Sequence, residues 1–138
     1  MSKVAIVFWS ATGNTETMAN CIAEGAGANA TIIPCSEMNA AKLGEYDVVA
    51  FGCPAMGAEQ LEESEFEPMF SDLEGSLNGK KVAMFGSYGW GDGQWMRDWE
   101  NDCGNAGISL VAPGVICCDA PDDAALEACR ALGKALAE

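Results

Sequence analysis

A buried strand runs directly into a helix in the stretch Val4-Ala5-Ile6-Val7-Phe8-Trp9-Ser10-Ala11-Thr12-Gly13-Asn14-Thr15. The apolar residues 4–8 predict the strand, and the helix is predicted to continue from Glu16. A turn of this kind collects free backbone N–H groups, and the helix dipole adds positive potential. Hydroxyl and amide side chains between residues 10 and 15 add neutral donors, and Gly13 lets the backbone bend tightly. The stretch therefore has the features of a phosphate site that contains no cation.

The turn does not match the common phosphate-binding motifs. The nucleotide-triphosphate loop ends in Gly-Lys-Ser/Thr, which is absent here, and the dinucleotide fingerprint needs three spaced glycines where this turn has Gly13 alone. A cysteine phosphatase loop would begin with Cys and end with Arg, where this chain has Ser10 and Glu16. An ordinary strand-to-helix turn capped by Thr12 or Asn14 remains an alternative, because capping residues favour the same positions.

Length and composition indicate one domain over residues 1–138, with enough apolar residues (49%) for a sizeable core. The seven cysteines lack zinc-like spacing, so we expect free thiols, most of them in the core, in a reducing cytoplasm. The chain has no histidine, which removes the commonest general base and most zinc sites, and we expect no metal and no catalytic residues. The first residues resemble no signal peptide, and no apolar run is long enough to cross a membrane.

The net charge of −14 makes nucleic acid and anionic membranes poor partners. Two explanations of the acidic residues remain open at this point. They keep the protein soluble, or they attract a basic partner.

Strands and helices alternate along the chain, and the strands are continuous apolar runs, which is typical of a parallel sheet covered by helices on both faces. The strands are predicted at residues 3–9, 30–35, 46–52, 81–86 and 108–118, the last interrupted by Pro113-Gly114. Helices are predicted at residues 13–26, 66–77, 94–105 and 122–137, and a short helix or turn at residues 37–44. This pattern predicts a doubly wound α/β domain, in which ligands bind at the carboxyl ends of the strands.

Two further loops follow predicted strands and carry unusual residues. Cys53-Pro54-Ala55-Met56-Gly57-Ala58-Glu59 offers a polarisable thioether, a flexible glycine and an acceptor. Gly86-Ser87-Tyr88-Gly89-Trp90-Gly91-Asp92-Gly93 surrounds an indole with glycines, which favours a stacking platform for a planar ring. Trp95 and Trp99 are predicted to pack in the core, and Trp9 could do so too. Together with the first turn, these loops suit a ring with a phosphate tail, such as flavin mononucleotide (FMN), although an adenine nucleotide would also stack.

Over essentially its whole length the chain resembles the short-chain flavodoxins of anaerobic bacteria such as clostridia. The residues that carry the resemblance are Ser10 to Thr15, Pro54-Ala55-Met56-Gly57 with Glu59, and Gly86 to Gly91. The resemblance implies a flavodoxin-like, five-stranded parallel sheet of strand order 2-1-3-4-5, with FMN bound where that order reverses.

The resemblance also implies a role for each loop. The phosphate would be held through Ser10, Thr12, Asn14 and Thr15, supported by Ala11 and Gly13. Met56 and Trp90 would flank the isoalloxazine, and Glu59 would accept a hydrogen bond from the flavin N(3)–H. After a peptide flip, the Gly57 carbonyl would receive the N(5)–H of a neutral semiquinone, and the small Ala58 keeps that flip feasible. The cofactor-binding set is completed by Pro54, Ala55, Ser87, Tyr88, Gly89, Gly91 and Asp92.

The implied function is low-potential, one-electron transfer between redox partner proteins, with non-covalently bound FMN cycling between semiquinone and hydroquinone. The partners would be transient and present basic surfaces, and the protein would be a cytoplasmic monomer. An FMN-dependent NAD(P)H flavin or quinone reductase is the alternative, although 7 basic residues offer little to an anionic nicotinamide cofactor. A response-regulator-like domain is disfavoured, because Trp9-Ser10 and Cys53-Pro54 stand where its acidic pocket would be.

Overall fold

The computed structural model describes residues 3–11, 13–56, 60–89 and 91–138. The strands of the described residues are β1 (Val4–Phe8), β2 (Ala30–Pro34), β3 (Val48–Gly52), β4 (Lys81–Tyr88) and β5 (Val115–Cys118). The helices of the same residues are α1 (Asn14–Ala26), α2 (Ala40–Leu43), α3 (Phe66–Leu73), α4 (Gln94–Asn105) and α5 (Asp123–Ala137). Short 3-10 turns lie at Gly27–Asn29, Cys35–Glu37 and Glu74–Ser76.

The described strands form one parallel sheet of five, in the order β2-β1-β3-β4-β5, which confirms the predicted fold. β1 and β3 are fully buried in the middle of the sheet. β2 lies at an edge of the sheet, a position that suits Pro34 because proline cannot donate to a neighbouring strand. The turns after β1, β3 and β4 therefore lie together at the carboxyl ends of the strands, beside the point where the strand order reverses.

Helices cover both faces of the sheet, and each face has its own core. On one face α1 and α5 pack on alternate residues of the central strands. Close approach fixes these two helices together, since a Cβ added to Gly133 would lie 2.1 Å from the Ile22 carbonyl oxygen, and one added to Gly25 would lie 2.0 Å from that of Arg130. α1 therefore has a fixed position relative to α5.

The other face carries α3 and α4 on an aromatic core. Phe51 of β3 meets Phe70 of α3 edge-on at 5.0 Å between ring centroids. Trp99 of α4 stands edge-on to both Phe66 and Phe70, at 5.5 Å from each. Such edge-to-face pairs add stability beyond the area they bury. Trp95 and Trp99 are each 2% exposed, so their predicted core role is confirmed.

Several element boundaries differ from the prediction. β4 extends past Gly86 to Tyr88, because its last four residues pair with β5. The predicted fifth strand is split: Val82 forms a bridge with Leu110, and the regular strand begins only at Val115, after Pro113-Gly114. α3 ends at Leu73 and tightens into a 3-10 turn around Gly75, a residue of low helix propensity.

The cysteines behave as predicted. All seven are free thiols, and those at positions 21, 35, 53, 103 and 129 are buried. Burial raises the pKa of Cys53, Cys103 and Cys129 to about 12 in each case, so these thiols stay protonated and inert near neutral pH. Within the described ranges, no helix is long and apolar enough to cross the bilayer.

Candidate functional site

The turn after β1 opens into a cavity at the start of α1. Gly13 is the N-cap residue, with φ of 95°, and its N–H donates to Ser10 Oγ at 3.1 Å. The N-cap position belongs to Gly13, which has no side chain, so the predicted alternative that Asn14 is the cap residue is wrong. The first-turn amides, such as those of Thr15 and Glu16, have no acceptor within the helix. Thr12 lies outside the described residues, so its predicted role stays a prediction.

Thr15 gives the cavity its clearest chemical signal. Its side chain is 1% exposed, and its Oγ1 has no hydrogen-bond partner in the described part of the chain. A buried hydroxyl left without a partner costs about 1–3 kcal/mol. Because Thr15 lines the cavity beside Ser10 and Asn14, an acceptor such as a phosphate oxygen would satisfy its hydroxyl there.

The loop after β3 forms the next wall through Pro54, Ala55 and Met56. The first half of this loop is held against β4 because the Ala55 N–H donates to the Ser87 carbonyl at 3.0 Å. The indole N–H of Trp95 donates to the Cys53 carbonyl at 3.1 Å. Two backbone hydrogen bonds of 2.8 and 2.9 Å join Met56 to Gln60. Met56 and Gln60 are therefore held side by side.

Gly57, Ala58, Glu59 and Trp90 lie outside the described residues. Their predicted contacts with a flavin ring consequently stay predictions.

The loop after β4 contributes Ser87, Tyr88 and Gly89 to the same cavity. Ser87 is buried, while Tyr88 is half-buried and its ring packs on Trp95 at 5.5 Å between centroids. Gly91 and Asp92 are exposed and do not line the cavity. Asp92 instead pairs with Arg97 at 2.8 Å, so Arg97 offsets its charge.

Asp119 is a lining residue that the sequence analysis missed. It follows β5 directly, with φ of 56°, and its N–H donates to the Tyr88 carbonyl at 2.7 Å. Its position just after a parallel strand is the signal that could have identified it.

Glu62 anchors the far end of the second loop. Its carboxylate accepts from the backbone N–H groups of Ser64, Glu65 and Phe66 at 2.8–2.9 Å and from the Ser64 hydroxyl. Burial would raise the pKa of Glu62, but these hydrogen bonds outweigh it and lower the pKa from 4.5 to about 2. The side chain is 6% exposed, so Glu62 is a buried charge at the start of α3.

Comparison with known proteins decides the family. The flavodoxin family model matches residues 6–133. The chain belongs to the flavodoxin family. A flavodoxin of Clostridium beijerinckii is 47% identical over 135 residues, covering 96% of this chain and 97% of that protein. A flavodoxin of Megasphaera elsdenii is 44% identical over 138 residues, covering 98% of both chains. The solution structure of the two-electron reduced Megasphaera elsdenii flavodoxin matches with a TM-score of 0.88 over 97% of this chain and 98% of that one.

Membership in the flavodoxin family, with these clostridial-type relatives, confirms the predicted resemblance. Flavodoxins bind FMN and carry electrons between proteins, and they are not enzymes. FMN is therefore the cofactor of this electron carrier. The described residues fit that cofactor, because a buried, unpartnered Thr15 hydroxyl at a helix N-terminus is what a dianionic phosphate group needs.

Proposed function

We propose that this flavodoxin is a low-potential, one-electron carrier that works between the semiquinone and hydroquinone states of non-covalently bound FMN. We propose further that residues 1–138 act as a single FMN-binding domain and monomer, in a cytoplasm reducing enough to keep the seven cysteines as free thiols. The observation that carries the proposal is the convergence of three loops and Asp119 on one cavity, into which the buried Thr15 hydroxyl brings an unused donor.

The residues of the site have separate tasks in this proposal. Ser10, Thr12, Asn14 and Thr15 hold the phosphate with neutral donors, supported by the Ala11 and Gly13 backbone. Met56 and Trp90 cover the two ring faces and exclude water. Glu59 orients the ring by accepting at N(3), and the Gly57 carbonyl receives the N(5) proton when the peptide turns. The walls between these groups are supplied by Pro54, Ala55, Ala58, Ser87, Tyr88 and Gly89, with Gly91 and Asp92 shaping the loop that presents Trp90.

The acidic residues lower the potential in this proposal. A carboxylate ~10 Å from an anionic ring opposes the added charge by roughly 1–2 kcal/mol at an effective dielectric of 20. About 1.4 kcal/mol corresponds to 59 mV for one electron. Glu62, fixed in its ionised form, and Glu63 in the same loop are well placed in sequence to contribute. Asp92 contributes less, because Arg97 offsets its charge.

Potentiometric titration of the purified protein tests this function. A yellow protein that turns blue on partial reduction, and whose second one-electron potential lies far below the first, is expected. A protein that takes up two electrons in one step, with no blue species, would contradict the proposal. Direct oxidation of NADPH would instead favour a reductase, which the family assignment does not support.

Partner selection follows from charge. With 21 acidic residues against 7 basic ones, the surface should attract redox partners that present basic patches, and should repel nucleic acid and anionic membranes. Electron-transfer rates to natural partners should fall steeply as salt rises, because the surface charges are screened within about 10 Å at 0.1 M salt. Rates that do not change between low and high salt would leave the acids with a role in solubility alone.

A further inference from the structure

A groove between α3 and α4 runs from the end of the second loop along the helices. Two adjoining cavities of about 470 and 180 Å³ form it, and they share Leu61, Glu67, Trp99 and Asp102. The smaller cavity includes Gln60, which is joined by backbone hydrogen bonds to Met56 of the proposed flavin cavity. The groove therefore begins beside the proposed ring site and leads away from it.

The groove has an apolar floor and an acidic rim. Phe70 and Trp99, which pack edge-on, form the floor together with the half-buried Leu61. The acidic residues along both cavities are Glu67, Glu74, Asp98 and Asp102. Such a surface suits lysine or arginine side chains, whose methylene stems pack on apolar groups while the charged heads meet carboxylates.

Trp99 supplies a second, independent indication of a ligand. Its side chain is 2% exposed and lines both cavities, yet its indole Nε1–H has no acceptor among the described residues. Trp95, one turn earlier, donates its own indole N–H to the Cys53 carbonyl. An unpartnered buried donor is costly, so a segment that opens the groove wide enough to reach this enclosed N–H would gain a hydrogen bond there. A backbone carbonyl of the segment is a suitable acceptor.

Other occupants of the groove fit less well. No set of three or more His, Cys, Asp or Glu side chains in the described ranges is arranged to hold a metal ion. A second copy of the chain is disfavoured by its net charge of −14. The basic residues near these helices are engaged elsewhere, since Arg97 pairs with Asp92 and Lys80 donates to the Tyr46 carbonyl.

We propose that the α3–α4 groove is a docking site for a lysine- or arginine-bearing segment of a redox partner. The partner's cationic heads pair with Glu67 and Asp102, their stems cover Phe70 and Trp99, and a backbone carbonyl of the segment accepts from Trp99 Nε1–H. The proposal rests on the electron-carrier function, because it places that segment beside the loop that borders the ring. The proposal assigns a specific binding site to partners that are otherwise attracted only by the overall negative charge.

Nuclear magnetic resonance of the FMN-loaded, ¹⁵N-labelled protein tests the groove. The probe is a synthetic peptide of alternating lysine and alanine, and the signals followed are the indole N–H resonances of the four tryptophans. The Trp99→Phe variant identifies the Trp99 signal. That signal is expected to move most during the titration, and to move little at high salt. A Trp99 signal that stays in place while others move would overturn the proposal, and would indicate that water satisfies the N–H.

Two charge-matched double variants separate the groove from general attraction. Glu67→Gln with Asp102→Asn should weaken peptide binding about threefold to tenfold, the loss expected for two exposed ion pairs. Asp123→Asn with Glu127→Gln removes the same charge from α5, on the opposite face of the sheet, and should weaken it less than twofold. Equal losses in the two variants would overturn the groove. FMN affinity and the potentials are measured separately on both variants, so a failure of the carrier function would appear there and not in the peptide titration.

Discussion

Removing the Thr15 hydroxyl should have opposite effects on the empty and the FMN-loaded protein. Thr15→Val keeps the shape of this 1% exposed side chain but deletes the unpartnered Oγ1. Without FMN, the variant loses a buried hydroxyl that has no partner, so its free energy of unfolding should rise by up to about 1–3 kcal/mol. With FMN, it loses a hydrogen bond to a charged phosphate, worth about 1.5–3 kcal/mol. Because both effects lower the binding free energy, FMN should bind at least about 10-fold more weakly.

Quenching of flavin fluorescence measures the affinity, and thermal unfolding of the FMN-free protein measures the stability. Riboflavin, which lacks the phosphate, provides the internal control, because its weaker binding should be the same in wild type and Thr15→Val. Thr17→Val is the matched variant, since the Thr17 hydroxyl donates to the Gly13 carbonyl and is exposed. If riboflavin affinity falls as much as FMN affinity, or if neither changes, Thr15 does not hold the phosphate.

Three further predictions concern the ring site and the loop beside it. Trp90→Ala should weaken FMN binding by roughly 1–3 kcal/mol, a range taken from base–aromatic stacking, and unchanged fluorescence quenching would exclude the stacking role. Gly57→Thr should hinder the peptide flip, because a β-branched residue resists positive φ, and should lower the maximum semiquinone fraction in a potentiometric titration; an unchanged maximum would refute the carbonyl role. The pKa of Glu62 is lowered to about 2, so its charge contributes stability that is complete above about pH 4.5 and is lost as the pH falls toward 2. In Glu62→Gln, the free energy of unfolding should therefore fall less steeply over this pH range. Parallel curves for the two proteins in urea unfolding between pH 2 and 6 would show that the Glu62 charge does not stabilise the fold.

The strands and the core were predictable because each buried strand is an unbroken apolar run. Every residue of β1 is apolar, and so is every residue of β3 except its final Gly52. Both strands are buried in the centre of the sheet. The sequence indicated an interruption of the fifth strand at Pro113-Gly114, but not which residues on either side would pair with β4. The pairing depends on which part of residues 108–118 finds a free stretch of β4, and this is a tertiary property.

The site residues that lie within one turn of the sequence were predictable. The features that depend on contacts between segments distant in sequence were not. Ser10, Thr15 and Met56 carry their signal in the turns that follow β1 and β3, and the structure brings them to one cavity. In the sequence Glu62 is one of several neighbouring acids, and only the fold of residues 62–66 shows it as a buried acceptor for the backbone N–H groups at the start of α3. The α3–α4 groove depends on two helices that are distant in sequence, so no local pattern could indicate it.

The close contact between α1 and α5 makes the proposed cofactor site sensitive to substitutions at a distant position. Glycine at position 133 lets α5 press against the Ile22 carbonyl, and α1 carries Thr15 at its other end. Any larger side chain at Gly133 must displace a helix backbone, and overpacking of this kind costs about 1–3 kcal/mol. The displaced helix is the one whose first turn carries the proposed phosphate site. A genetic screen that scored only the yellow colour of the flavin would therefore recover colourless mutants at Gly133, a glycine that does not line the candidate cavity.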